Sequence, residues 1–290
     1  PVAGTLSFSS VTTSSITITC SQATDGNAGH TAATLEYKIV KAATSAAIDT
    51  IEEIEAITTA EAGRVQDWSA NDRSESATSL SENTTYYFAA AVRDASGNKA
   101  VYAPQSQATL KAYYVFVTNS GWPGNMGGDG GGVTKADSNC NDINDPNRPP
   151  GASLTYKALI VDGTNRVACT SANCTTGGAS ENVNWVLKAS TYYKNWVSSS
   201  STVIGQTTSA GLFSFSISAK INTGFNPCWT GLNADFTIKN DGSSRCTSWT
   251  DNSAGPEGGS GQTNAQTSSL IDSGGTTPCN SSSKLICVEQ

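Results

Sequence analysis

The sequence predicts a mainly β chain, in which a β-sandwich precedes a disulfide-bonded α+β domain. Three observations predict it. Alternation of period two, with β-branched and aromatic residues, recurs at short intervals over the first 110 residues. Cysteine is split unevenly: Cys20 stands alone before residue 111, and Cys140, Cys169, Cys174, Cys228, Cys246, Cys279 and Cys287 follow it. Glycine and charge shift at the same place. Five of the 27 glycines precede residue 111, and six basic and twelve acidic residues there give way to eleven and twelve beyond it. The expected domains are therefore 1–110 and 111–290. The link near 110–112 has no Pro, Gly or Ser tract, so a stiff junction is expected.

Composition narrows the function classes. The 290 residues carry net charge −7 and one histidine, only 14% are charged, and about a quarter are Ser or Thr. An acidic chain has little with which to neutralise phosphates, so nucleic acid is not an expected partner. No apolar run approaches the roughly 18 residues of a membrane-spanning helix. There is no signal-peptide pattern and the sequence starts at Pro1, which suits a processed secreted chain or a trimmed fragment. Eight cysteines without paired CxxC knuckles read as disulfides, hence an oxidising, extracellular compartment. Nucleophilic catalysis needs a base beside Ser or Cys, and His30 is the sole histidine, in a Gly-flanked segment read as an exposed loop. No carboxylate pair is singled out by spacing. A non-enzymatic protein without a resident cofactor is expected.

In the first domain, Leu6 and Phe8 alternate with Ser, and Ile16, Ile18 and Cys20 with Thr17 and Thr19. Leu35, Tyr37 and Ile39 alternate with Glu36 and Lys38, and Tyr86, Phe88, Ala90 and Val92 form another stripe. Asp25-Gly26-Asn27 and Ser96-Gly97-Asn98 supply turns. About seven short strands in this length make a sandwich. The segment 48–61 is acidic and Ala/Ile-rich. It reads as a solvated sandwich edge, with a helical turn allowed by Ile51, Ile54 and Ile57 at three-residue spacing. Leu80, Thr84 and Tyr86 are placed as in a tyrosine corner. With the following YYFAAAVRDASGNKA, residues 3–110 resemble bacterial fibronectin type III domains. Such domains carry a core Trp on their second strand, where Cys20 stands here. Its parity with Ile16 and Ile18 points inward, so it is either an inert buried thiol or a disulfide partner for an odd cysteine of the second domain.

The second domain opens with Tyr113, Val115 and Val117 in a strand pattern. The Gly-rich run 121–132 lacks the Gly-Lys-Ser/Thr ending of a phosphate loop and reads as structural. Segment 136–140 suits a short helix, and 157–161, 228–232 and 285–288 suit strands. Asp137, Asn141, Asp142 and Asp145 crowd one segment and are candidate Ca²⁺ ligands or, alternatively, turn and cap residues. Trp122, Trp249 and Asp251 are candidate loop residues for a ligand, and residues 251–273 read as one long Gly/Ser/Thr loop. Cys169 and Cys174 are close enough to close a local loop.

ADxxC, WTGL and the terminal ICV, in that order, resemble a C-type lectin-like fold. KALIVDGTNRVAC, ENVNWVLKASTYY, CWTGLNADF and LICVEQ together resemble the leptospiral endostatin-like surface proteins, whose domain has no known function. The resemblance covers roughly 112–290. It implies a secreted or lipid-anchored, non-enzymatic protein, and some relatives bind host matrix or complement regulators. The lectin-like resemblance implies pairing of Cys140 with Cys287 and of Cys246 with Cys279. Cys228 is then free, joined to Cys20, or joined to another chain. The Glu-Pro-Asn or Gln-Pro-Asp and Trp-Asn-Asp signatures of calcium-dependent lectins are absent, and Trp249-Thr-Asp251-Asn252 is only a partial match. Two functions are carried forward. One is adhesion or ligand binding, with a host or matrix protein or a glycan as partner. The other is a self-associating structural subunit of an extracellular filament, sheath or surface layer.

Overall fold

The computed structural model describes residues 1–26, 34–128, 130–151, 153–239 and 245–290. Asn27 and His30 lie outside the described residues. The chain is mainly β and divides into two compact units, Pro1–Lys111 and Ala112–Gln290. Among the described residues no helix is long and apolar enough to cross a membrane.

The first unit contains β1 (Leu6–Ser9), β2 (Ile16–Cys20), β3 (Glu36–Ala42), α1 (Ile51–Ala56), β4 (Arg64–Ala70), β5 (Ser74–Ala77), β6 (Thr85–Arg93) and β7 (Lys99–Ala108). Two antiparallel sheets, ordered β1-β2-β5 and β4-β3-β6-β7, bury their facing sides. Period two explains the core: Ile16, Ile18 and Cys20 of β2 meet Tyr37, Ile39, Phe88, Ala90 and Val92. The Tyr86 hydroxyl accepts a 2.9 Å bond from the Ser81 amide, tying β6 to the preceding loop.

One segment departs from expectation. Residues 48–61 are not simply a solvated edge, because α1 covers the outer face of the four-stranded sheet. Ile48 and Ile54 pack there on Val40, Ala89 and Ala91, so β3 and β6 are buried on both sides. A capping box explains where the helix starts. The Thr50 hydroxyl accepts from the Glu53 amide, and the Glu53 carboxylate accepts from the Thr50 amide.

The second unit contains β8 (Ala112–Val117), α2 (Gly132–Cys140), β9 (Tyr156–Ala158), β10 (Tyr192–Asn195), β11 (Val203–Gln206), β12 (Pro227–Trp229), β13 (Glu257–Gln262), β14 (Thr276–Pro278) and β15 (Ile286–Glu289). Five strands form a mixed sheet ordered β11-β10-β8-β15-β9, in which β8 and β10 run parallel. The other sheet is β12-β13-β14. Alternation along β8 and β15 feeds two cores. Val115, Val117, Ile286 and Val288 face one, and Phe116 and Cys287 face the other, with α2, Tyr156, Trp229 and Trp249.

Three disulfides join irregular segments to this frame: Cys140–Cys287, Cys246–Cys279 and Cys169–Cys174. A buried ion pair fixes α2 to β9. The fully buried Arg166 guanidinium donates to both Asp137 carboxylate oxygens, at 2.9 and 2.7 Å, and to the Ala158 carbonyl. Residues 246–249 form a short turn with positive φ at all four positions, and Thr247 and Ser248 lie fully in the left-handed region.

The segment 251–273 is not a surface loop. It holds β13, whose Gly258, Gly259, Ser260 and Gly261 are buried, together with the core residues Leu270 and Ile271. The reason is close backbone approach. A Cβ on Gly261 would lie 1.9 Å from the Leu270 carbonyl, and one on Gly258 would lie 2.6 Å from the Trp229 ring.

Candidate functional site

Both free cysteines are fully buried. Burial pushes each thiol up to about 12, with Arg73 pulling Cys20 the other way. Each is therefore a protonated, inert core side chain at neutral pH. A Cys20–Cys228 bond is not formed, and a buried Cys228 is not placed to reach another chain.

The acidic segment of the second unit does not converge on a cation. Asp137 is committed to Arg166 and to the Ala158 amide. Asn141 bonds both main-chain groups of Tyr156. Asp142 caps the Asn144 amide, and Asp145 caps the amides of Asn119 and Asn147. Among the described residues no three His, Cys, Asp or Glu side chains could hold a metal ion together. These oxygens are engaged by backbone and guanidinium donors, which replaces the calcium reading.

Trp249 is also reassigned. It is fully buried, with its ring 5.6 Å from that of Trp229 and its Nε1 donating to the Val161 carbonyl. Trp122 is half-buried against the same core, and its carbonyl accepts from Trp229 Nε1. The buried Trp249 ring makes no sugar platform. Asp251 folds back and accepts from the Ser253 amide, and hydrogen bonding by the Ser253 hydroxyl first, then by its amide, lowers the Asp251 carboxyl pKa.

A different set of residues does assemble a cleft, of about 480 Å³. Its walls come from four separate loops: Asn173, Cys174 and Gly178; residues 208–215; Ala234 and Phe236; and Ser268. Its apolar wall is the half-buried Phe215, backed by the buried Phe213 and Phe236. Phe215 stacks on Phe236 with centroids 5.8 Å apart and planes 13° apart. Phe213 packs edge-on to Tyr193, and Trp185 edge-on to Phe236. Among the described residues, the side chains of Asn173, Ser209, Ser214 and Ser268 take no hydrogen bond within the chain.

The cleft walls are held from behind. Cys169–Cys174 closes the first loop. The Glu181 carboxylate accepts from the Thr170 and Ser171 hydroxyls and from the Thr170, Ser171 and Gly177 amides. These bonds, the Ser171 hydroxyl first, outweigh desolvation and bring its carboxyl down to about 2. Trp185 Nε1 donates to the Gly211 carbonyl, fixing the second loop.

Phe213 and Phe215 were within reach of sequence reading, because Phe-Ser-Phe-Ser alternation marks two side chains on one face. Phe236 was not, since it occupies a positive-φ position with no local signal. Residues 123–266 match the family described as Protein of unknown function (DUF1554). That stretch holds α2, every wall of the cleft except Ser268, and the Gly-rich β13. No curated protein matches. Among solved structures, the FN1–FN3 domains of chicken CNTN1 align at 17% identity and TM-score 0.27, over 38% of this chain and 32% of that one. The family 28 exopolygalacturonase of Yersinia enterocolitica aligns at 12% identity and TM-score 0.24, over 49% and 26%. At these scores neither likeness carries an argument about arrangement or activity.

Proposed function

We propose that this is a non-enzymatic bacterial surface or secreted protein that binds a ligand through its second unit. The first unit acts as a fibronectin type III-like spacer, and the second, read as a lectin-like head, acts in adhesion. One observation carries the reading. Among the described residues the cleft walls include no Asp, Glu, His, Lys, Arg or Tyr, and their one cysteine is locked in a disulfide. Such a cleft offers shape, rings and neutral polar groups but no acid, base or nucleophile, so it suits holding a ligand rather than transforming one. Three disulfides support an oxidising extracellular setting.

The test combines binding with assembly state. Purified chain is passed over immobilised matrix proteins and glycans, and the same sample is measured by light scattering with and without reductant. A 29.9 kDa monomer that binds one of them saturably is the expected result. Large assemblies formed without any ligand would overturn the reading in favour of a structural subunit. The buried Cys228 already removes one support of that alternative, an interchain disulfide.

A further inference from the structure

We infer that the phenylalanine-lined cleft of the second unit takes the uncharged end of a saccharide. The inference rests on the ligand-binding reading above and adds the chemical class of the ligand and the residues that would hold it.

Charge excludes first. Among the described residues nothing in the walls would neutralise a sulfate, phosphate or carboxylate, and nothing would balance a cation. Moving an ionic group from water into such a site is costly without a partner. Polarity excludes next. Asn173, Ser209, Ser214 and Ser268 bring an amide and three hydroxyls from three loops to the cleft, all without partners among the described residues. A purely apolar ligand would strip water from these groups and return nothing, at about 1–3 kcal/mol for each group left unsatisfied. The ligand must therefore offer hydroxyls or amides of its own.

The aromatic surface then narrows the class. Phe215, half-buried and backed by the buried Phe213 and Phe236, presents ring surface beside those polar groups. A phenyl face is electron-rich, and the polarised C–H face of a pyranose is its natural partner while the sugar's hydroxyl edge reaches the rim. An extended peptide also carries amides, but it needs a strand edge to pair with. The walls are loops and turns and contain no residue of the unit's two sheets. The cleft is also built before any ligand arrives, because the Cys169–Cys174 bond, the Glu181 carboxylate and the Trp185 indole fix its loops from behind. Pre-formed walls reduce the ordering cost of binding.

The test uses the full chain and ligand-observed saturation-transfer NMR. The probes are maltotriose, cellotriose, mannotriose and N-acetylated chitotriose, with a sialylated and a sulfated trisaccharide beside them. At least one neutral probe is expected to bind with Kd between about 10 μM and 1 mM. Affinity is expected to stay unchanged between roughly 50 and 500 mM salt, because no charge pair is involved. Phe215→Ala should weaken binding at least about tenfold, and Asn173→Ala or Ser214→Ala about three- to tenfold. Because Phe215 also packs on Phe236, a second variant guards against local collapse. Ser209→Trp, at an exposed rim position, fills the cleft from outside and should abolish binding at unchanged melting temperature.

The inference fails if no neutral probe binds at about 10 mM, if a charged probe is preferred, or if both variants bind like the parent. One further arm separates this failure from that of the broader reading. If sugars fail but Ser209→Trp abolishes capture of an immobilised matrix protein, the cleft is a binding site for another class. If neither sugars nor matrix proteins bind, both readings fall.

Discussion

The first unit buries Ile16, Ile18, Cys20, Tyr37 and Phe88 between two ladders of paired strands, and its only cysteine stays a thiol. The second unit has longer connections, strands of three to six residues and three disulfides. The difference shows two routes to one end. Regular sheets satisfy their own backbone, so side chains need only alternate. A loop-rich domain must satisfy its backbone with side chains instead, and Asp137, Asn141, Asp145 and Glu181 each do so. It must also limit its unfolded state by cross-links. The loops freed from ladder pairing are the ones that can build a cleft.

The largest break in this contrast comes from removing the longest cross-link. Cys140→Ser with Cys287→Ser opens a loop of 147 residues and should cost the second unit about 4–5 kcal/mol. Calorimetry should show the second unit's transition falling steeply while the first unit's stays in place. A shift of both transitions would dissolve the contrast. Next is Gly261→Ala, expected to cost about 3 kcal/mol in urea titration, because its Cβ meets the Leu270 carbonyl. Gly26→Ala in the first unit, with no atom within 4 Å of its Cβ, should stay within about 0.5 kcal/mol of the parent. Tyr86→Phe leaves the Ser81 amide without its acceptor and should lower the first unit alone by about 1 kcal/mol.

The smallest effect is one of pH. The Glu181 carboxyl sits at about 2, against an ordinary 4.5. A depressed carboxylate stabilises the fold above its unfolded value, and that stability is lost as pH falls from about 4.5 toward 2. Glu181→Gln should therefore lower the second unit's melting temperature at pH 7 and flatten its acid-side decline. A parallel offset at every pH would show that the charge is not the cause.

Much of the sandwich was legible because alternation reports burial directly. Ile16, Ile18 and Cys20 announced an inner face, and Leu80 with Tyr86 announced the corner. The cover on its outer face was harder to see. Thr50 and Glu53 spell a capping box, but nothing local says that Ile54 lands on Ala89 and Ala91. In the second unit the hydrophobic signal misleads. β13 is a core strand written in Gly and Ser, because its neighbours come too close for side chains. Trp249, read as a loop aromatic, is core, since its position depends on contacts with Trp229 and Val161 that lie far along the chain. The cleft joins loops up to 95 residues apart, from Asn173 to Ser268, and local pattern carries no information about such meetings.

The turn at 246–249 has a consequence for how the protein matures. L-residues avoid this backbone hand, at about 1–2 kcal/mol for each residue held there. Here it is held at one end by the Cys246–Cys279 bond and at the other by burial of Trp249. A chain kept reduced has one of those two anchors and little reason to reverse its local screw sense. Oxidation at Cys246 therefore adds an anchor to the segment that seats Trp249 beside Trp229, and reductant is expected to loosen it, read as a red shift of tryptophan emission.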